Sequence, residues 1–238
     1  MRRLAAFLLL PLFFATPAEA EQVDVELVLA ADGSGSIDAD ELALQRRGYA
    51  EAITSREVLS AITGGLIGSI AIIYIEWGGA ASQHVIVDWH VVRDAETARI
   101  FADKLIASPR QAFGYNSISG AIAFGADRIR DNTYDGLKKV IDVSGDGPQI
   151  GGPSLPETRA AALAEGIIIN GLVIRRPGGA VMGPRGDLVR HYAEDVIGGP
   201  GSFVAVADET RSFATAVRQK LVQEIAASGT SSSNGGGG

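Results

Sequence analysis

The feature that most constrains the fold is a regular alternation of strand-like and helix-like segments along the chain. Six segments show strand patterns: 23–30, 70–77, 84–92, 140–144, 167–174 and 203–206. Alternation of this kind requires right-handed crossovers and a mostly parallel sheet covered by helices on both faces. We therefore predict one doubly wound, Rossmann-like α/β domain with a six-stranded sheet in the order 3-2-1-4-5-6.

The third strand and the last helix carry more specific expectations. Only a short loop joins segments 70–77 and 84–92, which favours an antiparallel hairpin with the third strand at the sheet edge. Apolar residues of the last helix recur every four positions, at Phe213, Val217, Leu221 and Ile225. This spacing places Arg218, Lys220 and Glu224 away from the apolar stripe.

Both ends of the chain lie outside this pattern. Arg2 and Arg3 precede an apolar run at 4–14 and a small-x-small site at 18–20, which is the pattern of a cleaved secretory signal. The run is about half of the ~20 residues that a spanning helix needs. We predict a signal peptide at 1–20, a domain at 22–227 and a flexible Ser/Gly tail at 228–238. The mature chain is then periplasmic or secreted and has no membrane span.

Composition excludes several classes of function. With 21 basic and 28 acidic residues the net charge is −7, which argues against nucleic acid as a partner. The absence of cysteine excludes disulfides, thiolate nucleophiles and iron–sulfur clusters. The chain lacks a GxSxG nucleophile turn, a GxGxxG dinucleotide loop and a GxxxxGK phosphate loop. We assign no catalytic residue, and a metal-assisted hydrolase stays open as an alternative.

Polar residues follow the first and fourth predicted strands. The first is followed by a DxSxS string containing Asp32, Ser34 and Ser36, and the fourth by a GDG loop containing Asp146. In the predicted strand order these two loops share one crevice at the switch point. Carboxylate and hydroxyl oxygens suit a hard cation, so we predict Mg²⁺ or Mn²⁺ here, with Ca²⁺ as a further possibility.

These motifs resemble the von Willebrand factor A domain and its metal-ion-dependent adhesion site, over about 23–227. The strings YIEWGG, SISGAI, VIDVSGDGP, INGLVI and VIGGPGSF are similar to a bacterial family of exported, functionally uncharacterised members. The resemblance implies metal ligation by Asp32, Ser34, Ser36 and Asp146. The threonine of the family falls at Asn116, a departure for which Ser117 is the obvious substitute. The implied function is recognition of a partner protein, whose Asp or Glu carboxylate completes the coordination of the ion.

Other interpretations of the same residues remain. Asn116 is equally well explained as the N-cap of a helix starting at Ser117. Asp142, inside the fourth strand, is better explained as a hydrogen-bonded core residue than as a ligand. Residues 30–41 imitate a calcium-binding EF-hand loop, but the first ligand position is Ala30 and a strand precedes the loop. A metal-free scaffold protein is the third class of function.

Overall fold

The computed structural model describes residues 20–175, 182–183, 186–208 and 212–226. The predicted signal peptide, apart from Ala20, and the predicted tail lie outside these residues. Within the described ranges, no helix has the length and apolar character required to cross a membrane.

A six-stranded sheet organises the chain in the order β3-β2-β1-β4-β5-β8. Its strands are β1 (Glu21–Asp32), β2 (Ile70–Trp77), β3 (Gln83–Val92), β4 (Tyr134–Gly145), β5 (Ile167–Ile174) and β8 (Val204–Ala207). All neighbouring pairs are parallel except β2 with β3, which is antiparallel. A separate two-stranded ribbon consists of β6 (Met182–Gly183) and β7 (Gly186–Asp187). The predicted strand order and antiparallel edge strand are both confirmed.

Helices cover both faces of the sheet. They are α1 (Ala39–Ile53), α2 (Arg56–Thr63), α3 (Ala95–Ala107), α4 (Ile118–Arg130), α5 (Leu155–Ala164), α6 (Leu188–His191) and α7 (Phe213–Ala226), and a π-helical turn (Tyr192–Val196) follows α6. Alternate residues of β1 point to opposite faces. Leu27 and Leu29 belong to a core formed with α1, α2, α3 and α7, whereas Val28 and Ala30 pack in a second core with α4 and α5. The expected two-sided burial of the sheet is confirmed.

Local signals explain where some elements begin and why one was missed. The Asp38 carboxylate accepts from the Glu41 backbone N–H at 2.8 Å, and the Glu41 carboxylate accepts from the Asp38 backbone N–H at 2.9 Å. This reciprocal capping box starts α1, as the sequence predicts. Helix α2 was not predicted because it is short: its eight residues make about two turns, so the helical spacing of Val58, Leu59 and Ile62 is not repeated.

The prediction that Lys220 and Glu224 lie away from the core is wrong. Each is only 2% exposed. The Lys220 ammonium forms ion pairs with Asp142 of β4, at 2.8 Å, and with Glu224. Glu224 also accepts from the Asn170 side-chain amide at 2.8 Å. A buried charge requires such compensation, which the spacing of α7 alone does not reveal. Asp142 is a core residue, as predicted.

The opposite charges in this buried cluster stabilise one another. Burial lowers the pKa of Lys220 and the Asp142 and Glu224 carboxylates raise it, and the net direction is upward. The ammonium therefore stays protonated in the core. Because Asp142 lies in β4 and Asn170 in β5, the cluster fixes α7 to the centre of the sheet.

We predict that Lys220→Met destabilises the protein by about 3–5 kcal/mol, because it leaves two buried carboxylates without their cation. Urea unfolding followed by circular dichroism measures the change. Gln219→Met, on the exposed side of the same helix, is the matched control and should change stability by less than about 0.5 kcal/mol. Equal effects of the two substitutions would contradict a structural role for the cluster.

Candidate metal centre

The DxSxS loop begins where β1 ends, at the carboxyl edge of the sheet. Asp32 is the last residue of β1 and is fully buried. Its Oδ1 accepts from the Ser34 backbone N–H at 2.8 Å, which folds the loop back over the carboxylate. The Ser34 and Ser36 hydroxyls lie 2.9 Å apart. Three oxygen-bearing side chains of one loop thus face the same region.

The loop after β4 reaches the same region. Because β1 and β4 are parallel neighbours, with Ala31 opposite Ser144, their carboxyl ends lie side by side. The Ser36 hydroxyl donates to Asp146 Oδ1 at 3.1 Å, and the Asp146 backbone N–H lies 3.4 Å from Asp32 Oδ2. The prediction that these two loops share one crevice is confirmed.

Asn116 and Ser117 occupy different environments, although they are adjacent. Ser117 is the N-cap of α4, and its hydroxyl accepts from the Gly120 backbone N–H at 3.2 Å. The alternative that Asn116 caps this helix is therefore wrong. The Asn116 side chain instead lies against Gly147, where an added β-carbon would overlap the Asn116 amide nitrogen. The Asn116 backbone carbonyl accepts from Ile150 N–H at 2.9 Å. This bond attaches the loop after β4 to the segment before α4.

Arg110 forms hydrogen bonds to the backbone of the DxSxS loop and was not identified from the sequence. Its guanidinium donates to the backbone carbonyls of Gly33, Ser34 and Ile37, each at 2.8 Å. A loop of short polar residues rarely satisfies its own carbonyls, so this interaction supplies their hydrogen bonds. Arg110 lies far from the loop in sequence and belongs to no motif, which leaves it without a local sequence signal.

A second arginine attaches the segment that contains Arg110 to the sheet. Arg46 of α1 forms a buried ion pair with Glu76 of β2 at 2.7 Å. The same guanidinium donates to the carbonyls of Ser108 and Pro109. Burial raises the pKa of Glu76, and the Arg46 charge opposes that change. Glu76 therefore belongs to the framework behind the site.

An open cavity of about 710 Å³ lies over these loops. Its lining consists of Ser34, Gly35, Ser36, Gly114, Tyr115, Asn116, Asp146, Gly147, Pro148 and Ile150. Ser34, Ser36, Asn116 and Asp146 thus face one cavity, whereas Ser117 is not part of its lining. Asp32 is not part of the lining. Its carboxylate lies behind the lining residues Ser34 and Asp146 and accepts from their backbone N–H groups.

The electrostatics of the cavity floor favour positive charge. Burial and the neighbouring Asp146 carboxylate raise the pKa of Asp32 to about 7. Two carboxylates held this close are costly when both are ionised, unless a cation lies beside them. Among the described residues, the Arg110 guanidinium lies beside this loop and donates to backbone carbonyls.

The donor set fits a hard divalent ion. Carboxylate, hydroxyl and amide oxygens line one open cavity, without a nitrogen or sulfur ligand among the predicted residues. Within the described parts of the chain, no group of three or more His, Cys, Asp or Glu residues is placed to hold a metal. A site here would consequently depend on serine hydroxyls and retained water, as Mg²⁺ sites commonly do.

Comparisons with known proteins place the chain in a family and a fold. Residues 22–229 match the family described as "Protein of unknown function (DUF1194)", and the chain belongs to that family. A search of curated proteins gives no significant match.

Solved structures with the same fold include von Willebrand factor A domains. The chain is similar to the pilus adhesin SpaC of Lactobacillus rhamnosus GG, with TM-score 0.59 and 15% identity over 88% of this chain and 31% of that one. For the von Willebrand factor domain of the Porphyromonas gingivalis pilus tip protein Mfa5, the TM-score is 0.55 and the identity 12%, over 85% and 95% of the two chains.

A third similar structure contains a metal. It is proximal thread matrix protein 1 from the mussel byssus with a zinc-occupied adhesion motif, at TM-score 0.57 and 16% identity over 88% of this chain and 49% of that one. The chain spans about a third of the adhesin and about half of the mussel protein. At these identities the likeness establishes the fold, and the chain has the von Willebrand factor A fold.

We predict that Asp32→Asn stabilises the metal-free protein at pH 8, by at most about 4 kcal/mol, because it removes a buried charge. The folded-state pKa of Asp32 is raised, so the folded protein binds more protons than the unfolded chain between about pH 4 and 7. Wild-type stability therefore falls as the pH rises through that window. Below it Asp32 is protonated in both states, and the gain from asparagine should vanish.

Urea unfolding in chelator at pH 4, 6 and 8 measures this dependence. Asp103→Asn is the matched control, because Asp103 is 63% exposed on α3. A gain of equal size at pH 4 and pH 8 would contradict the assigned electrostatics.

Proposed function

We propose that this protein is an exported, metal-dependent recognition domain that binds a carboxylate of another protein. The observation that carries the proposal is the convergence of Asp32, Asp146 and two serine hydroxyls beneath one open cavity. Two carboxylates and two hydroxyls at the carboxyl edge of a parallel sheet give the position and the chemistry of a cation site. The von Willebrand factor A fold supports the same proposal, since one similar structure has zinc in its adhesion motif.

Four cavity-lining residues are suited to hold the ion. We assign Ser34, Ser36 and Asp146 as ligands, directly or through water, and Asp32 as the buried carboxylate that orients them and balances the charge. We place Asn116 opposite them in preference to Ser117, because Asn116 lines the cavity and the Ser117 hydroxyl caps α4. An asparagine there must direct its carbonyl oxygen towards the ion and its NH₂ group away.

A bound Mg²⁺ or Mn²⁺ supplies concentrated positive charge and an open coordination position. The residues of this chain supply the rest of the recognition site. Arg110 keeps the DxSxS loop closed around Asp32, and the Asn116 carbonyl keeps the loop after β4 against α4. A partner carboxylate that enters the cavity therefore meets a fixed set of donors.

Recognition accounts for this site better than hydrolysis. The described residues of the lining include no histidine or lysine that could act as a general base. His191 is the most buried of the three histidines; its Nε2 accepts from the Gln149 backbone N–H at 3.3 Å, and its Nδ1 donates to Asp195 Oδ2 at 2.7 Å. Both of its ring nitrogens thus have protein partners.

The domain boundaries and destination belong to the same proposal. The signal pattern at 1–20 and the low-complexity tail at 228–238 leave a domain at 22–227, which would act in the periplasm or outside the cell. Pilus proteins among the similar structures support an exported role. Detection of the mature N-terminus in a periplasmic fraction would test this part.

We predict that wild-type protein binds Mn²⁺ and Mg²⁺ and that Asp32→Asn abolishes binding. Isothermal titration measures affinity, and the metal-induced rise in unfolding free energy gives a second measurement, about 2.7 kcal/mol at a hundredfold excess over Kd. Because the metal-free variant is expected to be at least as stable as wild type, lost binding cannot be attributed to unfolding.

Asp103→Asn again controls for the loss of one negative charge and should bind metal normally. An unchanged metal response in Asp32→Asn would refute the proposed site. Absence of binding by the wild-type protein would favour the metal-free scaffold alternative.

A further inference from the structure

Large apolar side chains stand exposed beside the cavity. Tyr115 is 79% exposed and Ile150 62% exposed, and both belong to the cavity lining. Phe113, two residues before Tyr115, is 62% exposed. Single exposed apolar residues are common on protein surfaces, but a group of them around a polar cavity is typical of an interaction site.

The backbone that presents these side chains is firmly held. The Phe113 carbonyl accepts from Gly79 N–H at 2.8 Å, and the Gly114 carbonyl accepts from Gly35 N–H at 2.8 Å. Gly114 has φ +89°, a left-handed conformation that glycine adopts without strain. On the opposite side, Ile150 N–H donates to the Asn116 carbonyl at 2.9 Å. A surface fixed in this way needs little ordering when a partner binds.

The charge distribution restricts the chemistry of the partner. Among the described residues that line the cavity, Asp146 is the one charged residue, and none is a lysine or an arginine. A single carboxylate with an apolar neighbour is complementary to the cavity: the carboxylate faces the ion and the neighbour contacts Tyr115 and Ile150.

We propose that the partner is a protein segment with one Asp or Glu and a large apolar side chain within two residues of it. This inference rests on the proposed function, because the ion receives the carboxylate. Tyr115 and Ile150 are the specificity-determining residues. The cavity, at about 710 Å³, has the size of a pocket that accommodates such a pair of side chains.

Selection from a displayed library of twelve-residue peptides tests this inference. The mature protein is the target with Mn²⁺, and binders that persist in chelator are discarded. We expect enriched peptides to combine one acidic residue with a neighbouring Leu, Ile, Phe or Trp. For a selected peptide, Tyr115→Ser should weaken binding about tenfold, and replacing the apolar residue of the peptide by Ala should do the same.

Combining the two changes gives a sharper result. If Tyr115 contacts the apolar side chain of the peptide, Tyr115→Ser combined with the Ala-substituted peptide should weaken binding by much less than the roughly hundredfold expected from two independent effects. Tyr115→Ser should leave Mn²⁺ affinity unchanged, since Tyr115 contributes no ligand in this account. Leu66→Ser is the matched control, because Leu66 is 87% exposed in the loop before β2, at the amino end of the sheet.

The outcomes separate this inference from the proposed function. Metal-bound protein that enriches no peptide, or enriches acidic peptides without an apolar residue, would overturn the inference and leave the cation site intact. A Mn²⁺-dependent dimer abolished by Tyr115→Ser would identify a second copy of this chain as the partner and would also overturn it. Failure of the wild-type protein to bind Mn²⁺ would refute both.

Discussion

The burial of the Asp32 carboxylate at the carboxyl end of β1 is the constraint around which this molecule is organised. A carboxylate there is costly, and the cost increases because the β1–β4 pairing brings Asp146 to the same edge. The surrounding structure limits this cost with backbone N–H donors from Ser34 and Asp146. Ser34, Ser36 and Asp146 line the open cavity above this carboxylate, where we propose that the cation binds.

Two arginines and one lysine make that arrangement rigid. Arg110 satisfies the carbonyls of the DxSxS loop, and Arg46 ties the segment containing Arg110 to Glu76 on β2. Lys220 fixes α7 to Asp142, four residues before Asp146 on the same chain segment. Removing one partner of a buried ion pair leaves an uncompensated charge, so these side chains keep their positions. In this fold Arg110 holds the DxSxS loop, Arg46 holds the segment that contains Arg110, and Lys220 holds α7 against β4.

Periodicity and connectivity predicted most of the fold from the sequence. The bounds of β2 and β5 match the predicted segments, and the order of the sheet follows from alternation and from the short connection predicted at 78–83. Motif position predicted the cavity, because parallel neighbours bring Asp32 and Asp146 together. The missed features depend on contacts distant in sequence: Arg110 with the 33–37 loop, and Lys220 with Asp142. Helical spacing also misassigned Lys220 and Glu224, because a Lys and a Glu four residues apart have the same sequence pattern whether the pair is buried or exposed.

Crystals grown with Mn²⁺ and examined by anomalous scattering test the central claim most directly. We expect one strong anomalous peak in the cavity, with Ser34, Ser36 and Asp146 oxygens around it, directly or through water, and with the Asn116 side-chain carbonyl oxygen turned towards it. Manganese–oxygen distances of roughly 2.1–2.3 Å would identify the ligands. Saturating Mn²⁺ with no peak in this cavity, or a peak held by other residues, would contradict it.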